Sequence, residues 1–366
     1  MKLLLYCDLP PNKKNAQTII DHISSFEKYS QFEIQTVSSR LGLPYDLNLS
    51  SFDVIVVHYS ITLLTTSFYL ESYIPLKDQR KLRKYTGLKV MFIQDEYRRV
   101  NHICDRINYL KIDVLFSCAP IEIARKIYKR LSPNTKILET LTGYAPDITD
   151  APPLKPHKSR KIDVFYRARK LPLWLGTLGL DKYQIAEKFL INYPRRLHVD
   201  ISTFEEDRIY GEDWLQRLCN SRTTLGTESG ASFIDFSGDI ERDIAIFKSY
   251  NPEATFDDLP KHLTSLDKKL CIQVISPRIF EAIACRTTLV LFPGDYSGIL
   301  IKDRHYLELK KDFSNFDYLL EILNDKTAIE TIATTAYKEI IEPGQYSYKA
   351  FIKHFDSMIK NELAKK

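Results

Sequence analysis

Residues 275–292 read ISPRIFEAIACRTTLVLF, which joins a helix start, an amphipathic helix and an apolar strand. Ser276 suits the N-cap position, and Pro277 suits the first helical position, where its missing N–H is not needed. The pattern predicts a helix over Pro277–Cys285 and a strand over Thr287–Phe292. A helix that leads directly into a strand is the repeating unit of a parallel α/β sheet.

The same alternation extends outward along the chain. In the first half the predicted strands are Lys2–Tyr6, Phe32–Val37, Asp53–Val57, Leu88–Ile93, Asp113–Phe116 and Lys136–Leu141. In the second half they are Lys161–Tyr166 and Leu197–Ile201, with helices near Asp181–Leu190 and Glu212–Cys219. Strands and helices in steady alternation predict two doubly wound α/β domains.

The segment Ala145–Lys158 is a predicted linker, because it contains four prolines at positions 146, 152, 153 and 156. We therefore expect an N-terminal domain over 1–150 and a C-terminal domain over 151–345. Residues 346–366 have apolar side chains at helical spacing and predict an amphipathic helix. That helix is expected to pack on the N-terminal domain, with a membrane surface as the alternative partner.

The composition excludes several classes of protein. The chain is 44% hydrophobic and 27% charged, as in globular proteins, and no apolar run approaches the ~20 residues of a membrane span. Neither a signal peptide nor a C-x-x-C or H-E-x-x-H motif is present, so we expect a cytoplasmic protein without a metal site. The sequence also has neither G-x-G-x-x-G nor a P-loop motif, which disfavours dehydrogenases and P-loop NTPases.

The net charge is +5, and residues 1–150 carry most of it, with 20 basic and 16 acidic side chains. Two clusters supply much of this charge: Lys77, Arg80, Lys81, Arg83, Lys84 and Lys89, then Arg125, Lys126, Lys129, Arg130 and Lys136. They could face anionic lipid or an anionic acceptor, or they could be ordinary solvated helix faces. Nucleic-acid binding is disfavoured because the second half is nearly neutral and no RNA-binding aromatic motif appears.

Ser276, Pro277 and Arg278 form the best candidate anion site, because a helix N-terminus and an arginine both favour phosphate. The structural alternative is a capped helix with Arg278 paired to Glu281 at its surface. A second candidate follows the first strand of the C-terminal domain, where Arg167 and Arg169 could contact phosphate.

The segment Leu225–Ser232 is rich in small residues and is predicted to be a loop that brings Glu228, Ser229 and backbone donors to a polar ligand; a plain turn is the alternative. In the N-terminal half, His58 follows one predicted strand, and Asp95 and Glu96 follow the next. A general base must be a side chain of this kind at a cleft edge, and strand-end acids also serve as caps.

Together these segments resemble the group 1 glycosyltransferase superfamily, in particular the branch of spore-maturation CgeB-like proteins and bacterial surface-polysaccharide enzymes. The resemblance is clearest over Ser276–Ala284 and the following Gly294-Asp295-Tyr296-Ser297, and it covers about residues 159–320. It implies a GT-B fold, with two Rossmann-like domains facing a central cleft and a last helix that returns to the N-terminal domain.

The resemblance also implies a nucleotide-diphosphate sugar as donor. Arg278 would hold its diphosphate with support from Arg167 and Arg169, Glu281 would bind the ribose, and the loop with Tyr296 and Ser297 would lie on the donor side. Gln273 stands where many members of the superfamily have a glutamate, and Arg286 stands where glycine is frequent.

The sequence thus predicts glycosyl transfer to a glycan or lipid-linked acceptor, without a metal, at the inner face of the cytoplasmic membrane or in the cytoplasm. Asp95, Glu96 or His58 would be the base of an inverting reaction, whereas a retaining reaction needs none. Two alternatives stay open: a nucleotide-sugar epimerase of the same fold, and a non-catalytic subunit that binds sugar nucleotides or polysaccharide.

Overall fold

The computed structural model describes residues 1–9, 16–63, 74–147 and 154–366, and these form two compact units. Unit 1 comprises Met1–Leu141, Ile234–Pro252 and Tyr348–Lys366, and unit 2 comprises Thr142–Phe233 and Glu253–Ser347. The predicted boundary between residues 150 and 151 lies outside the described residues, as do two prolines of the predicted linker.

The strands, numbered along the chain, are β1 (Lys2–Cys7), β2 (Glu33–Ser38), β3 (Val54–Val57), β4 (Leu88–Ile93), β5 (Val114–Ser117), β6 (Lys136–Glu139), β7 (Ile162–Arg167), β8 (Val199–Ser202), β9 (Ser221–Gly226), β10 (Ser229–Ala231), β11 (Ile272–Val274), β12 (Thr288–Leu291) and β13 (Tyr306–Glu308). The helices are α1 (Gln17–Tyr29), α2 (Leu76–Lys84), α3 (Val100–Leu110), α4 (Ile121–Ile127), α5 (Gly176–Asn192), α6 (Gly211–Cys219), α7 (Asp239–Tyr250), α8 (Lys261–Thr264), α9 (Pro277–Ala284), α10 (Phe316–Asn324), α11 (Lys326–Ala336) and α12 (Tyr348–Leu363).

Unit 1 contains a six-stranded sheet in the order β2-β1-β3-β4-β5-β6, and its neighbouring strands are all parallel. Strands β3, β4 and β5 are buried along their whole length, because both faces of a parallel sheet are covered by other elements. The predicted strands lie within two residues of these bounds, so the prediction of a doubly wound N-terminal half is confirmed.

Helix α12 belongs to unit 1, as the sequence predicts. Its Phe355 ring lies 5.2 Å from that of Phe26 and 5.9 Å from that of Phe92, measured between centroids. Its Asp356 carboxylate accepts hydrogen bonds from the Ser30 hydroxyl at 2.8 Å and from the Gln31 amide at 2.7 Å. The apolar stripe of the tail is therefore buried in the core of unit 1.

Helix α7 also belongs to unit 1, although the sequence pattern does not predict this. The Asp235 carboxylate accepts from the amides of Gly238 at 2.7 Å and Glu241 at 2.9 Å, and so stabilises the start of the helix. An ion pair of 2.5 Å joins Glu241 to Arg98, which lies between β4 and α3. Such long-range contacts leave no periodic signal in the sequence.

Unit 2 contains a five-stranded parallel sheet in the order β13-β12-β9-β7-β8 and a separate antiparallel pair, β10 and β11. Strand β9 was not predicted, because its sequence SRTTLG is polar. The hydroxyls of Thr223 and Thr224 donate to the carbonyls of Asp163 and Phe165, so the strand is buried with its polar groups satisfied. The predicted loop over Leu225–Ser232 is partly wrong, since it contains the end of β9 and all of β10.

None of the described helices combines the length and the apolar character that are needed to cross a lipid bilayer.

Candidate donor site

A pocket of about 270 Å³ lies in unit 2 at the carboxyl ends of β7 and β9. In this sheet β7 lies between β8 and β9, so the strand order reverses at this point. Open α/β sheets bind their ligands in the crevice at such a reversal. The N-terminal turn of α9 forms another wall of the pocket, through Ser276, Arg278 and Ile279.

The lining of this pocket is strongly cationic. Its charged members are Arg167, Arg169, Lys182, Arg208 and Arg278, and no carboxylate of the described residues joins them. A concave surface with one sign of charge raises the local potential for a ligand of the opposite sign. The N-terminus of α9 contributes in the same direction, because its first amides and its dipole favour anions.

Arg278 is exposed and is held in place from two sides. Its guanidinium carbon lies 4.7 Å from the centroid of the Trp214 ring, and its Nη1 donates to the Arg167 carbonyl at 2.6 Å. The predicted alternative paired Arg278 with Glu281, whereas the structure places the Trp214 ring and the Arg167 carbonyl against the Arg278 guanidinium. A guanidinium that is stacked and exposed is pre-organised to contact phosphate.

The guanidinium groups of Arg167 and Arg169 differ in how accessible they are to a ligand. Arg167 is buried, and it donates to the Asp200 carboxylate at 2.5 Å and to the carbonyls of Tyr166, Asp200 and Asp207 at 2.9, 2.9 and 3.1 Å. These bonds favour a structural role for its side chain. Arg169 is 53% exposed and makes one loose ion pair of 3.6 Å with Glu205, so it remains open to an anion.

Lys182, Arg208 and Trp214 also line the pocket, although sequence reasoning did not select them. Lys182 lies on α5, and its Nζ donates to the Ser229 hydroxyl at 3.0 Å. Ser229 itself is absent from the lining, and it contributes through this lysine. No motif marks these residues, because α5, α6 and the segment before α6 bring them to the pocket only in the folded chain.

Glu281 lies one helical turn beyond Arg278 and outside the pocket lining. Its Oε2 accepts a hydrogen bond of 2.7 Å from the Trp214 indole N–H. This bond joins α6 to α9 and orients the ring under Arg278. The structure thus connects Glu281 to the pocket through Trp214.

Glu228, Gln273 and Tyr296 form a network beside the pocket rather than within its lining. The buried Glu228 carboxylate accepts from the Gln273 side-chain amide and, at 2.7 Å, from the backbone amide of Tyr296. Burial raises the pKa of Glu228, and its hydrogen bonds oppose that shift. Gly294 is required here, because a Cβ at this position would collide with the Glu228 carboxylate.

The segment Tyr296–Gly298 is in turn tied to the start of α9. The amide of Ile275 donates to the Ser297 hydroxyl at 3.1 Å, directly before Ser276. Tyr296 and Ser297 both have positive φ angles, of 51° and 57°, so the surrounding contacts hold a strained turn. Ser276 occupies the N-cap position, but its side chain makes no capping hydrogen bond and is left facing the pocket.

In unit 1 the predicted base His58 is fully buried. Its Nδ1 accepts from the Ser60 amide at 3.0 Å, and its Nε2 lies 2.9 Å from Nδ1 of the buried His22. With Nδ1 as an acceptor, Nε2 carries the proton and donates to His22. Burial lowers the pKa of both imidazoles, so this neutral pair belongs to the core.

Asp95 and Glu96 follow β4 but point to different environments. Glu96 is buried and accepts from the Ser117 hydroxyl at 2.7 Å, from the Ala119 amide at 2.9 Å and from the Tyr128 hydroxyl. Asp95 is exposed, with a φ of 59°, and accepts from the Tyr97 hydroxyl at 2.8 Å. Of the three predicted bases, Asp95 is the one with an exposed side chain.

Comparison with solved structures shows the fold. The chain is similar to sucrose-phosphate synthase from Thermosynechococcus elongatus, with 8% identity, a TM-score of 0.53 and complete coverage of both chains. It is also similar to the β-glucosyltransferase of phage T4, with 11% identity, a TM-score of 0.53 and 99% coverage of each chain.

The chain is also similar to TarM, with 12% identity and a TM-score of 0.46. The matched region covers 86% of this chain, and the chain spans 56% of the length of TarM. No protein-family model matches the sequence, and no curated protein matches it either.

The two parallel sheets with their flanking helices therefore have the GT-B fold, an α/β class built from two Rossmann-like units. The cationic pocket in unit 2 lies at the strand-order reversal where this class of sheet binds ligands.

Proposed function

We propose that this chain is a glycosyltransferase that binds a nucleotide-diphosphate sugar in the pocket of unit 2. The observation that supports the proposal most directly is the convergence of five cations and the α9 N-terminus on one crevice without a carboxylate among the described lining residues. A diphosphate is the part of such a donor that this electrostatic environment favours. The two GT-B structures of similar fold belong to glycosyl-transferring enzymes, which adds support.

The same groups would promote the reaction. Negative charge grows on the leaving diphosphate as the bond to the sugar breaks, and Arg278, Arg169 and the α9 amides would stabilise it in place. In an inverting reaction Asp95 would remove the proton of the acceptor hydroxyl, since its carboxylate is exposed. A retaining reaction would proceed without this base, and neither route in the proposal uses a metal ion.

The acceptor in this proposal is a glycan or a lipid-linked glycan of bacterial surface-polysaccharide synthesis. The sequence resemblance to that branch of enzymes supports the assignment. Peripheral contact with the inner face of the cytoplasmic membrane, through the basic residues of unit 1, is part of the same proposal.

The donor site is tested by thermal unfolding with a panel of nucleoside diphosphates. A ligand that binds the folded state raises the melting temperature, and we expect at least one member of the panel to do so. Arg278→Met keeps the aliphatic stem but removes the charge, and should weaken binding by about tenfold or more. The matched control Arg196→Met changes an exposed arginine of unit 2 outside the pocket and should preserve the shift.

A panel without any stabilising nucleotide would refute the site, as would an Arg278→Met variant that responds like the wild type. Activity is then measured as release of nucleoside diphosphate from the stabilising donor with and without candidate acceptors, in the presence of EDTA. Acceptor-dependent release supports glycosyl transfer, conversion of the donor without an acceptor indicates an epimerase, and binding without turnover indicates a non-catalytic subunit.

A further inference from the structure

A second pocket, of about 620 Å³, lies in unit 1 and takes no part in the proposed donor site. Its lining contains six cations and one carboxylate: Arg80, Arg83, Lys84, Lys89, Lys111 and Lys366, with Asp113. Most of the first basic cluster of the sequence thus converges on one concave surface with the end of α3. This convergence is a property of the fold, because α2, α3 and β4 each contribute.

The charges of this pocket are mostly uncompensated. Lys366 donates to the Asp113 carboxylate at 3.0 Å and so occupies the one acidic side chain of the lining. Within the described part of the chain, no ion pair is formed by Arg80, Arg83, Lys84, Lys89 or Lys111. These five cations share one nearby carboxylate, Asp113, with Lys366, so they repel one another and an anion bound between them would relieve that repulsion.

Lys89 shows that the pocket is more than a solvated helix face. It is 5% exposed, and its Nζ donates to the neutral carbonyl of Tyr85 at 2.9 Å. Burial lowers the pKa of Lys89, Asp113 opposes the shift, and the charges of Lys366 and Lys111 add to it. A buried ammonium among other cations is stabilised by a bound anion more strongly than an exposed one would be.

Aromatic contacts arrange the pocket for a planar, bidentate interaction. The Arg83 guanidinium lies 4.5 Å from the centroid of the Tyr109 ring, and the Tyr85 hydroxyl is fixed by a 2.8 Å hydrogen bond to the Phe52 carbonyl. Stacking limits the orientations of an arginine and favours forked contacts to phosphate oxygens.

This pocket and Asp95 lie at opposite ends of β4. Lys89 lies at the amino end of β4, and Lys111 and Asp113 precede β5. The acceptor-side candidate Asp95 follows the carboxyl end of β4, beyond a strand of six residues, which spans roughly 20 Å. Within unit 1 this pocket is therefore separate from Asp95, the base of the proposed inverting reaction.

We propose that this pocket of unit 1 binds a phosphate group of a phosphate-bearing ligand. Arg83, Lys84, Lys89 and Lys111 supply the contacts. The assignment is independent of the donor site, so it stands or falls separately from the proposed glycosyl transfer.

The first arm of the test uses inorganic tripolyphosphate and calorimetric titration at low ionic strength. The protein carries Arg278→Met, so that the donor pocket contributes little to the signal. In that background, Arg83→Gln with Lys84→Gln removes two exposed charges from the last turn of α2. The control Arg125→Gln with Lys126→Gln removes the same pair of residue types from the last turn of α4.

The α2 pair should weaken tripolyphosphate binding by about tenfold or more, and the α4 pair by less than about twofold. Both pairs are exposed in the last turn of a helix and interact with the helix dipole in the same way. A difference in tripolyphosphate affinity between the two variants is therefore caused by the pocket. Circular dichroism confirms that each variant is folded. Equal loss in the two pairs, or no loss in either, would overturn the proposal.

The second arm distinguishes the source of the phosphate. Vesicles of phosphatidylglycerol and phosphatidylcholine are sedimented with the same variants, and pure phosphatidylcholine vesicles serve as the blank. Sedimentation that the α2 pair abolishes and the α4 pair preserves identifies a lipid headgroup as the source. Tripolyphosphate binding that depends on the α2 pair, without sedimentation, identifies a soluble phosphate ligand.

Discussion

Glu96 is a carboxylate that the fold has removed from solvent and surrounded with donors. Burial raises its pKa to about 7, while the hydrogen bonds from Tyr128, Ser117 and Ala119 lower it. The folded chain therefore keeps a proton on this group at a pH at which the unfolded chain has released it. The stabilisation that results is complete below the unfolded value of 4.5 and is lost as the pH rises through about 7.

Replacing Glu96 with glutamine should remove this dependence on pH. We expect the free energy of unfolding of Glu96→Gln to change less between pH 5 and pH 8 than that of the wild type, and the difference between the two changes should be about 2.5 kcal/mol. Urea denaturation at several pH values measures the difference. The buried His22 and His58 contribute equally to the pH dependence of stability in both proteins. If the unfolding free energies of the wild type and the variant changed in parallel with pH, the raised pKa of Glu96 would be contradicted.

At the scale of elements, side chains of α6 and α9 meet in the wall of the proposed donor pocket. The Trp214 indole donates to Glu281, and the same ring lies beneath Arg278. The pocket thus depends on the relative position of two helices that are 58 residues apart when counted from Cys219 to Pro277. The first turn of α9 would not by itself fix the orientation of the Arg278 side chain without the Trp214 ring.

Trp214→Phe keeps an aromatic ring under Arg278 but removes the indole N–H. We expect it to cost about 1–2 kcal/mol of stability and to weaken binding of the stabilising nucleoside diphosphate by about fivefold. Glu281→Gln retains an acceptor oxygen for the indole and should lose less affinity in the same titration. Greater loss from Glu281→Gln than from Trp214→Phe would instead show that the Glu281 charge contacts the nucleotide directly.

At the scale of the whole molecule, unit 1 is assembled from three separate segments of the chain. Its first segment forms the sheet, while α7 and α12 join it from residues more than 90 positions further on. The core that Phe355 shares with Phe26 and Phe92 is therefore completed by the last described helix.

Phe355→Ala tests how much unit 1 depends on this helix. Phe355 is fully buried, so its truncation should destabilise the protein by about 3–5 kcal/mol in urea denaturation. Lys353→Ala, at an exposed position of the same helix, should change stability by less than about 0.5 kcal/mol. Similar losses for the two variants would mean that α12 contributes little to the core.

The sequence by itself determined the two α/β halves, because apolar strands such as Val54–Val57 and Leu88–Ile93 have to be buried on both faces. It also determined the helix start at Ser276 and Pro277, since capping and φ preferences act within a few residues. The apolar stripe of α12 was visible for the same reason, as a local period of 3.6 residues.

Tertiary structure decided which of the candidate side chains share one pocket. It placed Arg169, Ser276 and Arg278 with Lys182, Arg208 and Trp214 in one lining, and it turned Glu228 and Glu96 into buried supports. It also recruited the polar strand β9 and the helix α7, whose partners lie far away in sequence. Periodicity reports burial along one element, whereas the contents of a site depend on how several elements pack together.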